Sequence, residues 1–364
     1  MAKEWGTQDL EQLDRLIRDG HNDSSIARIM GRTIGSVEHQ TRGTRPKCQR
    51  ECKSQESYQG MNEEESSFID KMNEHLKSLK SYKLKRKDRK PPKNGDTLVV
   101  HLTDFHAGKI VKDQDGTIYD ENIFRNRIEH LCLNILKILD NNISKGVPIT
   151  DVVIIATGDL TNGEDIYATQ AYEQEMPPPK QVMLCVDVLI QLMLAFVDRK
   201  LPVSFYGVRG NHGRTGKETD PTSNWDIMIY KILDFWVETQ KLSNKVIVDY
   251  AENTEALNFK IRGHNYLAMH RAPEQGGTPS GRVKFNAWAR ANEAKAVVYG
   301  HFHHFSVDDV DGVRVFRGGS TVGGDGLSES MAKYSEPTQC VWGVTDDRIM
   351  TFFYAIDLNG LKEK

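Results

Sequence analysis

Cysteine is scarce, with five residues in 364, an odd number at Cys48, Cys52, Cys132, Cys185 and Cys340. So few scattered thiols exclude a disulfide framework, and Cys48 and Cys52 lack the second Cys or His pair of a zinc finger, so they read as free thiols in a surface segment. The opening Met-Ala-Lys-Glu-Trp lacks the apolar stretch of a signal peptide, and no unbroken run of roughly twenty apolar residues occurs. A soluble protein of a reducing, cytoplasmic compartment is the expectation, with no membrane partner. Net charge is small as well: 48 basic and 51 acidic residues leave −3, which excludes a polycation and confines any nucleic-acid surface to a local patch. What remains is a chain with 38% hydrophobic residues, enough for one enzyme-sized core and a small extra module.

Residues 1–45 read as three short helices. Thr7 caps the first, which carries Leu10, Leu13, Leu16 and Ile17 on one face and ends at Gly20. The second buries Ile26, Ile29 and Met30. Gly31 makes the turn, Thr33 caps the third helix, and Ile34 and Val37 face inward while Arg32, Ser36, His39, Gln40 and Arg42 stay outside. The pattern resembles a helix-turn-helix of the Myb-like or resolvase-like kind, which implies DNA contacts by Arg32, His39 and Arg42; the competing reading is a helical packing or dimerisation module. Residues 46–95 lose the apolar periodicity and read as a charged linker with a helix over 63–80. Within it Lys77 to Lys93 is dense in Lys and Arg with Asp88 as its one acid, a composition that suits phosphate backbones or a solvated tether.

From 96 to 358 the character changes to short β-rich runs at 97–103, 151–157, 202–208, 265–269, 295–299, 313–316 and 339–355, separated by helical stripes at 123–144, 180–198 and 224–240. Such alternation predicts a layered α/β domain. Its polar residues gather where strands stop. Leu-Val-Val-His-Leu-Thr runs into Asp104-Phe105-His106, Val-Val-Ile-Ile-Ala-Thr into Gly158-Asp159, and Ser-Phe-Tyr-Gly-Val-Arg into Gly210-Asn211-His212; two further strands run into His270 and into Gly300-His301-Phe302-His303. Loops beyond the strand carboxyl ends build the ligand site of layered α/β folds, so five strands would aim carboxylate, amide and imidazole groups at one crevice.

Any one of these motifs alone is ordinary; the ordered set of five resembles the calcineurin-like metallophosphoesterase signature over about residues 97–320. The resemblance implies a β-sandwich flanked by helices and a two-metal phosphoesterase, the small all-α module lying ahead of it. It further implies one metal on Asp104, His106 and His303, a second on Asn211, His270 and His301, and the Asp159 carboxylate bridging both. A hydroxide between the metals would be the nucleophile and His212 the general acid. Two divalent ions, two carboxylates and one hydroxide leave about one net positive charge for a phosphodiester. The imidazole, carboxylate and amide mix suits Mn²⁺ first, then Fe²⁺, with Zn²⁺ or Ni²⁺ as alternatives. Gly213 departs from the pattern, since many relatives carry there an acid that orients the histidine; Asp220 or Asp226 are the candidates to replace it.

Arg214, Lys217 and Arg271 lie near the motifs as phosphate-binding candidates or plain surface charges, and the glycines from Gly318 to Gly326 read as a close-packed loop near the metals. Gly-Asp-Leu-Thr-Asn-Gly-Glu lacks the arginine of the Ser/Thr protein phosphatases. A DNA nuclease accounts for the module, the basic run and the site together, and the site also resembles repair nucleases of the SbcD type and phosphoesterases encoded by phages, for which the compartment would be the host cytoplasm. The alternatives are a nucleotide or cyclic-nucleotide phosphodiesterase and a DNA-binding regulator with an inactive catalytic domain.

Overall fold

The computed structural model describes residues 5–18, 21, 23–32, 34–41, 63–83, 95–112, 117–144, 147–167, 170–272, 279–323 and 335–359. In chain order, α1 (Thr7–Arg18), α2 (Asp23–Met30), α3 (Ile34–Thr41) and α4 (Glu63–Ser78) precede β1 (Asp96–Leu102), β2 (Val111–Lys112), β3 (Thr117–Tyr119), α5 (Glu121–Ser144) and β4 (Ile149–Ala156). Next come α6 (Pro178–Val197), β5 (Val203–Gly207), α7 (Trp225–Thr239), β6 (Val246–Tyr250), β7 (Ala256–Ile261) and β8 (His264–Met269). The chain finishes with α8 (Pro279–Ala291), β9 (Ala296–Tyr299), β10 (Ser306–Val310), β11 (Val313–Arg317), β12 (Thr338–Val344) and β13 (Phe353–Asp357).

Two sheets form the sandwich. One runs β13-β12-β1-β4-β5-β6, with β1, β4, β5 and β6 parallel; the other runs β10-β11-β9-β8-β7. The strand period of two sorts side chains between two cores. On β1 and β4, Leu98, Val100, Val152 and Ile154 point to the helices α5, α6 and α7, where they meet Leu136, Leu189 and Leu233. Val99, Val153 and Ile155 point the other way, into the space between the sheets, against Phe259, Tyr266, Phe316 and Trp342. Phe285 of α8 closes the far side over Val297 and Tyr299. The resulting layers are helices, sheet, sheet, helix, the β-sandwich flanked by helices that the resemblance implies. The run at 339–355 resolves into two antiparallel strands, β12 and β13, because Thr345 to Arg348 folds back in a turn.

α6 is long and apolar enough to cross a membrane, with mean hydropathy 1.8, yet 67% of its window is buried within the protein. Its Leu, Val, Ile and Met stripe is core, packed on β5 and beside α7. Cys132, Cys185 and Cys340 are free and buried. Cys48 and Cys52 lie outside the described residues.

The N-terminal helices hold a small core of Leu13, Ile26, Ala27 and Val37. Several expectations change here, and Leu10 of the first helix is 40% exposed. Ile29 is half exposed, its place on the inner face of α2 taken by Ala27. Arg32 does not stay outside: its guanidinium donates to Asp9 Oδ2 at 2.7 Å and lies 4.1 Å from the Trp5 ring centroid, so only 6% of its side chain is exposed. Ser36 likewise accepts from Trp5 Nε1 at 3.0 Å. The His39 side chain and Arg42 lie outside the described residues.

This bundle is fastened to the catalytic layers. Arg28 pairs with Asp234 on α7 and also donates to the Val248 carbonyl at 3.4 Å, while buried His21 pairs with buried Asp249. Helix α2 thereby covers β6, the edge strand of the larger sheet, where open backbone groups would otherwise invite strand pairing. The helix expected over 63–80 is α4, and it too is packed: Leu76 enters the helix-side core and His75 meets Asp187 at 2.8 Å.

Candidate metal centre

Every candidate ligand follows a strand that ends on the same side of the sandwich. Asp104 and His106 follow β1, Asp159 follows β4, Asn211 and His212 follow β5, His270 follows β8, and His301 and His303 follow β9. Five of them, Asp104, His106, Asp159, His301 and His303, have positive φ between 45° and 72°. That left-handed conformation is uncommon outside glycine and clusters where function over-determines the backbone. Here it turns the chain sharply off each strand so that the side chain points back over the sheet edge.

The structure brings the set together. The metal-capable atoms of Asp104, His106 and His303 lie within 4.8 Å of one another, as do those of Asp159, His270 and His301, and those of His106, Asp159 and His212. His106 Nε2 stands 3.0 Å from His303 Nε2, and His270 Nε2 is 2.8 Å from Asn211 Oδ1, 3.0 Å from Asp159 Oδ2 and 3.1 Å from His301 Nδ1. A cluster of imidazole lone pairs and carboxylate oxygens is repulsive unless protons or cations sit among them. His270 Nδ1 donates to the Thr157 carbonyl at 2.7 Å, which leaves Nε2 to face the cluster. His106 Nδ1 is buried without a hydrogen-bond partner among the described residues. Seven oxygen and nitrogen donors in two lobes fit a pair of divalent ions.

Supporting contacts fix the carboxylates. Asp104 accepts from Thr103 Oγ1 at 2.6 Å and from the His301 backbone N–H at 2.9 Å, and Asp159 Oδ1 accepts from the His212 N–H at 2.7 Å. Gly300 is required by close approach: a Cβ there would stand 2.4 Å from Asp104 Oδ2. The glycine loop packs as expected over its described part, with Ser320 Oγ and the Thr321 N–H both donating to the Asp104 carbonyl. Gly324 and Gly326 lie outside the described residues. His101 is structural, buried, bonded to Thr157 Oγ1 at 2.8 Å, and lowered to about 3 chiefly by burial.

Neither Asp220 nor Asp226 orients His212. Asp220 is exposed and holds Thr222. Asp226 is fully buried and accepts from the backbone N–H groups of Asp159, Leu160, Thr161 and Gly210 at 2.8–3.4 Å, so it ties together the loops after β4 and β5. His212 Nδ1 instead faces the Asn162 carbonyl at 3.3 Å and the Gln170 amide at 3.4 Å. An acid at 213 has no room, because a Cβ on Gly213 would approach Asn224 Oδ1 to 2.7 Å, and Asn224 is the side chain that caps α7. Burial raises Asp226 to about 6, with the Asp159 charge adding to it. Asp226→Ala would leave several buried N–H groups unpaired, each costing about 1–3 kcal/mol. We expect it to lose at least about 3 kcal/mol of stability in denaturant titration, with Asp226→Asn losing less; an unchanged midpoint for the alanine variant would contradict this loop-tying role.

Burial opposes a charge on His270, but the Asp159 carboxylate outweighs it and raises the pKa to about 9. Burial first, then the His270 charge, lowers His301 to about 4. A raised base stabilises the metal-free fold fully below its unfolded pKa near 6.5 and loses that contribution as pH rises through about 9; the lowered His301 and His101 contribute above 6.5 and lose theirs as pH falls toward 4 and 3. Metal-free protein should therefore melt highest near pH 6–7. Metal must displace the proton of His270, so the melting gain on adding Mn²⁺ should grow between pH 6.5 and 9. A gain independent of pH across that window would contradict the arrangement.

Some neighbours carry no signal in the sequence. Lys109 is only 7% exposed and its charge reaches His106 and His212. The Tyr167 hydroxyl oxygen accepts from Asn211 Nδ2 at 2.8 Å, and its ring centroid is 4.8 Å from that of His212. Both are brought in by loops whose paths only the fold defines. Of the phosphate-binding candidates, Arg214 donates to the Asn211 carbonyl at 3.0 Å, while Lys217 and Arg271 are exposed.

Comparison with curated proteins finds no match. Among solved structures, the chain is similar to the zinc-complexed Vps29 of Entamoeba histolytica (15% identity, 72% of this chain and 99% of that one, TM-score 0.33) and to an archaeal phosphodiesterase (13%, 71% and 99%, TM-score 0.34). Vacuolar protein sorting 29 of Cryptosporidium parvum is a third (14%, 72% and 100%, TM-score 0.33). Likeness at this level says nothing of substrate. The model of the calcineurin-like phosphoesterase family matches residues 97–305, more than half of the chain and the whole stretch that carries the seven donors, so the protein belongs to that family and is a metal-dependent phosphoesterase.

Proposed function

We propose that the protein hydrolyses phosphodiesters in DNA, with two divalent metals, Mn²⁺ foremost, held by Asp104, His106, His303, Asn211, His270, His301 and the shared carboxylate of Asp159. The observation that carries the diester reading is His212, stationed 4.5 Å ring to ring from His106 at the rim of the donor cluster. When bound, the metal pair supplies a water of lowered pKa and positive charge for the phosphoryl oxygens. The residues do the rest. Asp159 fixes the His212 backbone, and the Asn162 carbonyl accepts from Nδ1–H, which leaves Nε2 as the atom that gives a proton to the departing oxygen. Burial first lowers the His212 pKa in the free protein; an arriving phosphodiester anion restores its proton. Lys109, paired with Glu173 at 4.0 Å, also places a positive charge on the His106 and His212 side of the cluster.

The DNA reading draws on the basic run from Lys77 to Lys93, since Arg32 is committed within the helical bundle. That bundle already has a structural task, covering β6, and this favours one second reading, a phosphodiesterase of free nucleotides or cyclic nucleotides. Removing residues 1–94 would strip Leu76 from the core, so neutralising Lys85, Arg86, Lys87, Arg89 and Lys90 to Gln is the cleaner variant. Mn²⁺-loaded protein should cleave plasmid or single-stranded DNA, and the neutralised variant should bind duplex more weakly with a shallower salt dependence. Turnover of mononucleotide diesters alone, with no cleavage of either DNA, would move the assignment to the second reading.

A further inference from the structure

The segment after Gly163 presents an aromatic ring at the donor cluster and fixes it there. Tyr167 is 43% exposed, yet its backbone is anchored by the buried Gln170, whose Oε1 accepts from the N–H groups of Ile166 at 2.7 Å and Tyr167 at 3.0 Å. The Gln170 amide in turn donates to the Asn162 carbonyl, the same oxygen that faces His212. At the other end of the side chain the phenol oxygen accepts from Asn211 Nδ2 at 2.8 Å, and the ring lies 4.8 Å from His212, tilted by 40°. A surface tyrosine seldom has its backbone, hydroxyl and ring face all fixed; this one costs little further ordering when a flat partner arrives.

We infer that the exposed face of Tyr167 is a stacking subsite for a nucleobase on the side of the scissile phosphate where His212 protonates the leaving oxygen. The His212 and Tyr167 ring centroids are 4.8 Å apart, so a group that departs past His212 comes beside the Tyr167 ring. The partner that matches a rigid, uncharged π-face is a planar heterocycle, and stacking tolerates any base. The inference rests on the phosphodiester reading given above and names what the leaving group carries.

The test compares wild type, Tyr167→Phe and Tyr167→Leu, each Mn²⁺-loaded with metal content measured, on a thymidine dinucleotide and on two versions with an abasic tetrahydrofuran at one or the other position. Wild type should show a KM about tenfold higher for one abasic version and not for the other, near the low end of what base–aromatic stacking contributes. Tyr167→Leu should show that raised KM already on the full dinucleotide, with kcat nearly unchanged, and should no longer distinguish the versions. Tyr167→Phe should keep the discrimination, because the ring remains. If Tyr167→Leu weakens all three substrates equally, or loses metal while wild type fails to discriminate, the ring is only structural and the inference falls. If wild type cleaves bis-nitrophenyl phosphate but none of the dinucleotides, the diester reading for nucleic acid falls with it, a result distinct from the first.

Discussion

Asp159→Ala is expected to lower hydrolysis of any phosphodiester by at least about 10³-fold while leaving the protein folded. Among the described residues, Asp159 is the carboxylate that touches both lobes of the site: its oxygens lie 3.0 Å from His270 Nε2 and within reach of His106 and His212. A bound divalent ion lowers the pKa of its water from 15.7 toward about 7, and loss of a carboxylate that would help hold the ions would remove much of that activation. The fold should survive, because Asp159 lies beyond the end of β4 and its loop is held by Asp226, not by its own carboxylate. Burial pushes the Asp159 carboxyl up, but His270, His212 and His106 outweigh it and hold it well below the usual range. Truncation to alanine therefore also strips His270 of its counter-charge, and the variant should bind fewer metal equivalents. Turnover of a chromogenic diester together with metal stoichiometry checks this; retained turnover with both metals bound would remove Asp159 from the role.

The second large effect concerns the leaving group. His212→Ala should slow cleavage of DNA or a dinucleotide by roughly 10²–10⁴-fold, the span of a lost general acid, while a nitrophenyl diester, whose leaving group departs unprotonated at neutral pH, should lose little. The geometry specifies a further comparison. Nδ1 faces a backbone carbonyl, and no carboxylate has room beside it because Gly213 is closed off by Asn224. A carbonyl orients the ring without raising its basicity as a carboxylate would. The activity on natural diesters should accordingly depend on the Gln170 amide that shares the Asn162 oxygen, and Gln170→Leu should reproduce a part of the loss on natural diesters but not on nitrophenyl ones. An equal loss on both substrate types for His212→Ala would instead assign it to binding or to metal positioning.

Much of this was legible in the chain alone because the relevant signals are local. Strand termini are marked by β-branched runs that stop at a polar residue, so Asp104, Asp159, Asn211, His270, His301 and His303 could each be located before any fold was known. The helical stripes at 123–144, 180–198 and 224–240 correspond closely to α5, α6 and α7, since 3.6-residue periodicity survives in any buried helix. The runs read from the sequence omit β6, β7, β10 and α8: β10 (Ser-Val-Asp-Asp-Val) is half exposed and its apolar signal weak, whereas β7 (Ala-Leu-Asn-Phe-Lys-Ile) alternates plainly and was overlooked; 339–355 merged two strands whose separating turn has no Gly or Pro between Asp346 and Phe353.

Other features depend on partners hundreds of positions away, and no window of sequence contains them. Arg32 looked like a free surface cation on a recognition helix, and only packing shows it spent on Asp9 and Trp5. The N-terminal helices looked like a tethered module, and only contacts across more than 200 residues, Arg28 with Asp234 and His21 with Asp249 among them, show them seated on a sheet edge. Asp226 looked like a possible orienter of His212 until four backbone N–H groups were found on it. The sequence by itself determined which residue types end each strand, and hence the family, because those depend on alternation and on chain order. The tertiary structure alone decided which donors face one another, what holds them, and which cations remain free, because pairing depends on distances that the chain reaches only once both sheets have closed.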